Sequence, residues 1–199
     1  MAPGPRGICV FGGHSQDGRG EKTFYGDLWI FDPREGRWER VHGAEKGPGR
    51  RYGFGWAAAR DAAWLYGGFD GERDRGDLWR LDLSRLDWEL VVAEGPGPSP
   101  RYCPALGVVS QGLLLFGGRS KVRPRENFRD TWRLGKQGWE LIEEEGPGYH
   151  AKPAYASDGE RMFLFAGEGP AGHVSDLWRF DASGWMRLQG CRTDDPILW

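Results

Sequence analysis

A glycine pair closing a short apolar run recurs along this chain at nearly even spacing. It stands at Ile8-Cys9-Val10-Phe11-Gly12-Gly13, at Trp64-Leu65-Tyr66-Gly67-Gly68 and at Leu113-Leu114-Leu115-Phe116-Gly117-Gly118. A fourth copy, Phe163-Leu164-Phe165-Ala166-Gly167, carries Ala in place of the first Gly, and the spacings are 55, 50 and 49 residues. A period of this length is the signature of stacked supersecondary units, each unable to bury its apolar faces alone.

Other landmarks keep step with the glycines. A polar loop leads to Asp27-Leu28-Trp29, Asp77-Leu78-Trp79, Asp130-Thr131-Trp132 and Asp176-Leu177-Trp178. A second tryptophan follows seven or nine residues later, at Trp38, Trp88, Trp139 and Trp185. A Gly-Pro turn comes next, then a basic residue: Gly47-Pro48 with Arg51, Gly97-Pro98 with Arg101, Gly146-Pro147 with His150. Each of these three basic residues precedes its glycine-pair position by 16 residues.

Each unit therefore reads as four short strands, here lettered a to d. Strand a follows the Gly-Pro turn, as from Tyr52 to Ala59. Strand b runs into the glycine pair, strand c begins at Asp-Leu-Trp, and strand d surrounds the second tryptophan. Strands b and c are apolar at consecutive positions, the pattern of a strand covered on both faces. Sheets covered on both sides at this period imply blades stacked face to face around an axis.

These residues resemble the kelch repeat: a strand ending in Gly-Gly, then Asp-Leu-Trp, then a second Trp. The resemblance runs from about Ile8 to Leu188. It implies an all-β propeller of four-stranded blades, at roughly 7–46, 47–95, 96–145 and 146–190 with a tail over 191–199. It also implies an interaction module, as in adaptors and ubiquitin-ligase substrate receptors. Six residues separate Arg6 from Gly12, so the first blade is expected to lack strand a. Four blades are few for this family. The chain is expected to be a fragment of a longer array, or to complete its ring through self-association, or to close as a small ring. The tail, with Pro196 removing a ladder donor, is a poor match for the missing strand.

Composition narrows function by exclusion. With 27 basic and 29 acidic side chains, no global field points to nucleic acid or an anionic membrane surface. Three cysteines, Cys9, Cys103 and Cys191, do not make a disulfide framework. The N-terminus has no signal-peptide pattern and no apolar run reaches the ~20 residues that span a bilayer, so a soluble, cytoplasmic protein is expected.

Strand alternation places the b–c and d–a loops on one face, and the longest loops are b–c. That face is the expected recognition surface for a protein or peptide partner. The third b–c loop carries Arg119, Lys121, Arg123, Arg125 and Arg129 against a single Glu126. Clustered arginines can fork onto carboxylates or phosphate, so an acidic peptide, a C-terminal carboxylate or a phosphorylated partner fits. The alternative is self-pairing with Glu143, Glu144 and Glu145. Arg51, Arg101 and His150 form an expected ring of cations at the channel mouth, with hydrogen bonding to loop carbonyls as the alternative. Phe24, Tyr25, Phe69 and Phe128 are candidate aromatic anchors; Tyr25 and Phe69 join the basic residues in the expected partner site.

A metal-dependent propeller enzyme is the competing class. His14, His42, His150 and His173 all fall in loops expected on the recognition face, but without ligand spacing. The iron pattern of plant specifier proteins, Glu-x-x-x-Asp-x-x-x-His, is not met: Glu72 and Asp77 miss it. Tyr102 and Cys103 are adjacent, and adjacent strand residues point to opposite faces, against a galactose-oxidase-like cross-link. No cofactor and no catalytic residue are expected.

Overall fold

The computed structural model describes residues 2–4, 6–43, 45–93, 95–123, 126–148, 152–169 and 172–189. They form four four-stranded antiparallel sheets, the blades of a kelch-type propeller, with no helix among the described residues. Blade 1 is β1 (Ala2–Gly4), β2 (Gly7–Gln16), β3 (Lys22–Asp32) and β4 (Arg37–His42). Blade 2 is β5 (Gly55–Ala59), β6 (Ala62–Tyr66), β7 (Leu78–Asp82) and β8 (Trp88–Val92). Blade 3 is β9 (Ala105–Val109), β10 (Gly112–Phe116), β11 (Thr131–Gly135) and β12 (Gly138–Glu143). Blade 4 is β13 (Ala154–Ser157), β14 (Met162–Gly169), β15 (Gly172–Asp181) and β16 (Gly184–Gln189).

Two expectations need correction. Blade 1 does have an inner strand: β1 pairs with β2, Ala2 opposite Cys9 and Gly4 opposite Gly7. It escaped the landmark count because Arg6 lies in the hairpin turn between Gly4 and Gly7, after the strand, so no basic landmark precedes it. The first b–c loop is also not a loop. β2 and β3 continue as a hairpin, with His14 opposite Phe24 and Gln16 opposite Lys22, beyond a register shift between Phe11 and Gly13. The closing role considered for 191–199 lies outside the described residues.

The continuous apolar runs follow from two-sided burial. Successive side chains of a strand point to opposite faces. In β6, Ala63 and Leu65 pack with Cys9, Phe11 and Leu28 of blade 1. Their neighbour Tyr66 packs the other way, with Leu106, Leu113 and Leu115 of blade 3. In β10, Leu114 and Phe116 meet Met162 and Leu164 of blade 4.

An aromatic joint recurs between blades. Phe11 meets Trp88 with ring centroids 5.0 Å apart, Tyr66 meets Trp139 at 5.6 Å, and Phe116 meets Trp185 at 5.1 Å, all edge-on. Edge-to-face pairs gain from the ring quadrupole beyond the ~200 Å² an indole buries. The linker glycines fit these indoles: a Cβ on Gly47 would stand 2.5 Å from Trp88 Cδ1. Trp88→Ala is therefore expected to destabilise by about 3 kcal/mol, the low end for a large aromatic because this indole is half-buried, while the neighbouring exposed Glu89→Ala stays within about 0.5 kcal/mol. Urea unfolding of both variants checks this.

Candidate functional site

His14, Phe69, Arg119 and Glu168 stand at the equivalent sequence position, the level just past each glycine pair. In blade 2 this level is pinned by a two-way backbone bridge. Tyr52 N–H donates to Phe69 O at 3.1 Å and Phe69 N–H to Tyr52 O at 2.9 Å. Blade 3 repeats it between Tyr102 and Arg119, at 2.8 and 2.9 Å. Rings and cations thus collect where the innermost strands begin.

Tyr52 lies at the centre of the collection. Its ring is 4.2 Å from that of His14, 5.7 Å from Phe24, 6.1 Å from Phe69 and 6.1 Å from Tyr102. Burial first, and then the neighbouring Tyr102 and Cys103, push the Tyr52 hydroxyl above the ordinary tyrosine range, so it stays protonated at neutral pH. Arg119 places its guanidinium carbon 4.9 Å from the Tyr102 ring centre and donates Nε–H to the Tyr102 hydroxyl at 2.5 Å. The exposed Lys121 ammonium lies 5.7 Å from the same ring. Cations held against an aromatic face are partly desolvated and fixed in place.

The basic loop is anchored by a residue that sequence reasoning missed. Asp74, only 5 % exposed, comes from the b–c loop of blade 2. Its carboxylate accepts from Ser120 Oγ at 2.6 Å and from the backbone N–H of Lys121 at 2.9 Å, so one loop holds its neighbour. Nothing near Asp74 in the sequence marks this role, because its partners lie more than 40 residues away.

The expected site residues part company here. Phe69 and Arg119 join the cluster. Tyr25 does not: adjacent to Phe24 in β3, it points the other way, exposed, with its hydroxyl 2.9 Å from Ser15 Oγ. Phe24 takes its place. Arg123 is exposed and pairs with Glu126 at 2.6 Å, and Arg129 pairs with Glu145 at 2.7 Å, the self-pairing alternative realised at one residue. Phe128 lies under Arg101, 3.8 Å from its guanidinium carbon. Arg125 and His150 lie outside the described residues, as does the His173 side chain. His42 faces blade 2, its Nε2 2.5 Å from the Leu86 carbonyl oxygen. Among the described residues, no three of His, Cys, Asp and Glu gather closely enough to share a metal ion.

Arg51 and Arg101 are not an open cation ring. They are 1 % and 0 % exposed. The Arg51 guanidinium forks onto Asp77, Nη1 to Oδ1 at 2.6 Å and Nη2 to Oδ2 at 3.0 Å, and also reaches the Gly67 and Pro48 carbonyls. Arg101 repeats the fork on Asp130, at 2.5 and 2.9 Å, with Gly117 O at 3.0 Å. Any incoming anion would have to displace an internal carboxylate. The Asp of the Asp-x-Trp motif also accepts the indole N–H two residues on, at 2.7 Å in Asp27, Asp77 and Asp130. Burial alone would raise the Asp77 carboxyl; the Arg51 fork, with the Trp79 indole and Arg75, overcomes this and holds it below the ordinary carboxylate range.

Four radially packed, all-β blades that display loop side chains at the mouth of their inner strands define a propeller-type interaction scaffold. Residues 4–147 match the family model described as the KLHDC2/KLHL20/DRC7 Kelch-repeats domain. The chain belongs to the kelch-repeat family. No curated protein matches it.

Breaking the fork should be costly. Asp77→Ala leaves the Arg51 charge buried and unpaired, which is expected to cost about 3–5 kcal/mol. The Asp77 pKa is lowered on folding, so its contribution is fully present above the unfolded value of about 3.9 and is lost as pH falls through the folded value. Urea unfolding at neutral pH and below pH 4 should show this acid loss in the wild type, and a smaller one in Asp77→Asn.

Proposed function

We propose that this kelch domain binds a partner protein through the face of its b–c and d–a loops, taking a peptide segment that bears an acidic or terminal carboxylate group. The observation that carries this reading is the juxtaposition of Arg119 and Lys121 on the Tyr102 ring beside the Tyr52–Phe24–Phe69–His14 cluster. Rings offer large contact area at low entropic cost, and a guanidinium offers a planar fork that matches a carboxylate. Asp74 and the paired bridges hold these groups before a partner arrives, which lowers the ordering cost of binding. Arg123, at the exposed rim of the same loop, would steer an acidic partner more than hold it.

The test is a fluorescence-polarisation titration with a library of acidic peptides carrying a free C-terminal carboxylate, and with the same peptides amidated. Binding that weakens with salt is expected, and Arg119→Gln combined with Lys121→Gln should weaken it at least about tenfold, or 1.4 kcal/mol. Arg34→Gln combined with Arg85→Gln, in the c–d turns of blades 1 and 2, should leave it unchanged. Equal losses in the two double variants, or no binding by any peptide, would remove the reading.

A further inference from the structure

Every internal joint of the array has the same two halves. The preceding blade supplies the aromatic at the end of strand b, and the following blade supplies the tryptophan of strand d. Phe11–Trp88, Tyr66–Trp139 and Phe116–Trp185 are the three completed joints. One half of the same joint is left over at each end of the array. Phe165, the blade 4 counterpart of Phe11, Tyr66 and Phe116, is 50 % exposed. Trp38, the blade 1 counterpart of Trp88, Trp139 and Trp185, is 52 % exposed.

We propose that the Phe165 face of blade 4 receives the Trp38 face of blade 1 from a second copy of this chain, head to tail. The halves match in detail. Trp185 is held between Phe180 of its own blade, at 5.1 Å, and Phe116 of the preceding blade, also at 5.1 Å. Trp38 already rests on Phe31 of its own blade at a similar distance, 5.0 Å, though tilted at 42° where Trp185 meets Phe180 edge-on at 68°. On the other half, Leu188 of β16 is exposed, as is its blade 2 counterpart Val91, whereas the counterparts Val41 and Ile142 pack into the joint with the following blade.

Ala166 restricts how a following blade can enter. At Gly12 and Gly67 a Cβ would stand 2.6 and 2.5 Å from the carbonyl oxygens of Arg51 and Arg101, the basic landmark leading in the next blade. Ala166 carries that methyl, at φ 55. It refuses a blade that enters with the Gly-Pro-Arg lead of blades 2 and 3. Two different patches meet, so the contact is heterologous, and each copy keeps one face of each kind.

Light scattering on the purified chain at micromolar concentration tests this. The wild type is expected at twice the chain mass of 22.4 kDa or more. Trp38→Glu and Phe165→Glu, both at exposed positions, should each give 22.4 kDa with unchanged circular dichroism. An equimolar mixture of the two variants should return to twice that mass, because one intact Phe165 and one intact Trp38 remain to meet. A wild type that stays at 22.4 kDa, variants that remain associated, or a mixture that stays monomeric would each overturn the proposal.

Discussion

Arg51 and Arg101 tie the blades by dividing their two ends between neighbours. The Arg51 carbonyl accepts from Gly13 N–H and its own N–H donates to Tyr25 O, both in blade 1, at 2.9 Å each. Its side chain meanwhile forks onto Asp77 and Gly67 O in blade 2. Arg101 does the same between Gly68 and Arg75 of blade 2 and Asp130 of blade 3. A guanidinium buried in this way survives only with its donors satisfied, since a buried charge without a partner is heavily penalised. The requirement fixes both the angle between blades and the level at which each loop leaves the sheet.

The aromatic joints supply burial where the forks supply direction. Dispersion and hydrophobic contact are not directional, so they alone would let blades slide. A bidentate charge pair and an indole N–H on the same carboxylate remove that freedom. The loop cluster around Tyr52 and Tyr102 inherits its order from this frame. Asp74 then passes the order from the second b–c loop to the third.

Most of the fold was legible because its signals are periodic. Four apolar runs, four Asp-x-Trp motifs and four second tryptophans each keep step, and stacked sheets are what such periodicity can build. The inner strand of blade 1 was hidden, because three residues ahead of a tight turn carry no landmark. The candidate site was legible only in part. Phe69 was legible as a loop aromatic and Arg119 as one of the clustered cations of the third b–c loop. Phe24 and Tyr25 could not be told apart, since which of two adjacent residues faces inward depends on how far the β2–β3 hairpin extends. Arg51 and Arg101 looked like exposed cations because their carboxylate partners lie 26 and 29 residues on.

The residue pattern by itself determined the class of fold, the number of blades and the face on which the loops gather. Those properties depend on local spacing and on the alternation of side chains along a strand. Tertiary structure alone decided which cations are buried in carboxylate forks and which lie against the aromatic cluster. A cation is placed by carboxylates distant in sequence, and Arg119 rather than Arg51 ends beside the aromatic cluster because Asp77 takes the second and the Tyr102 ring carries the first.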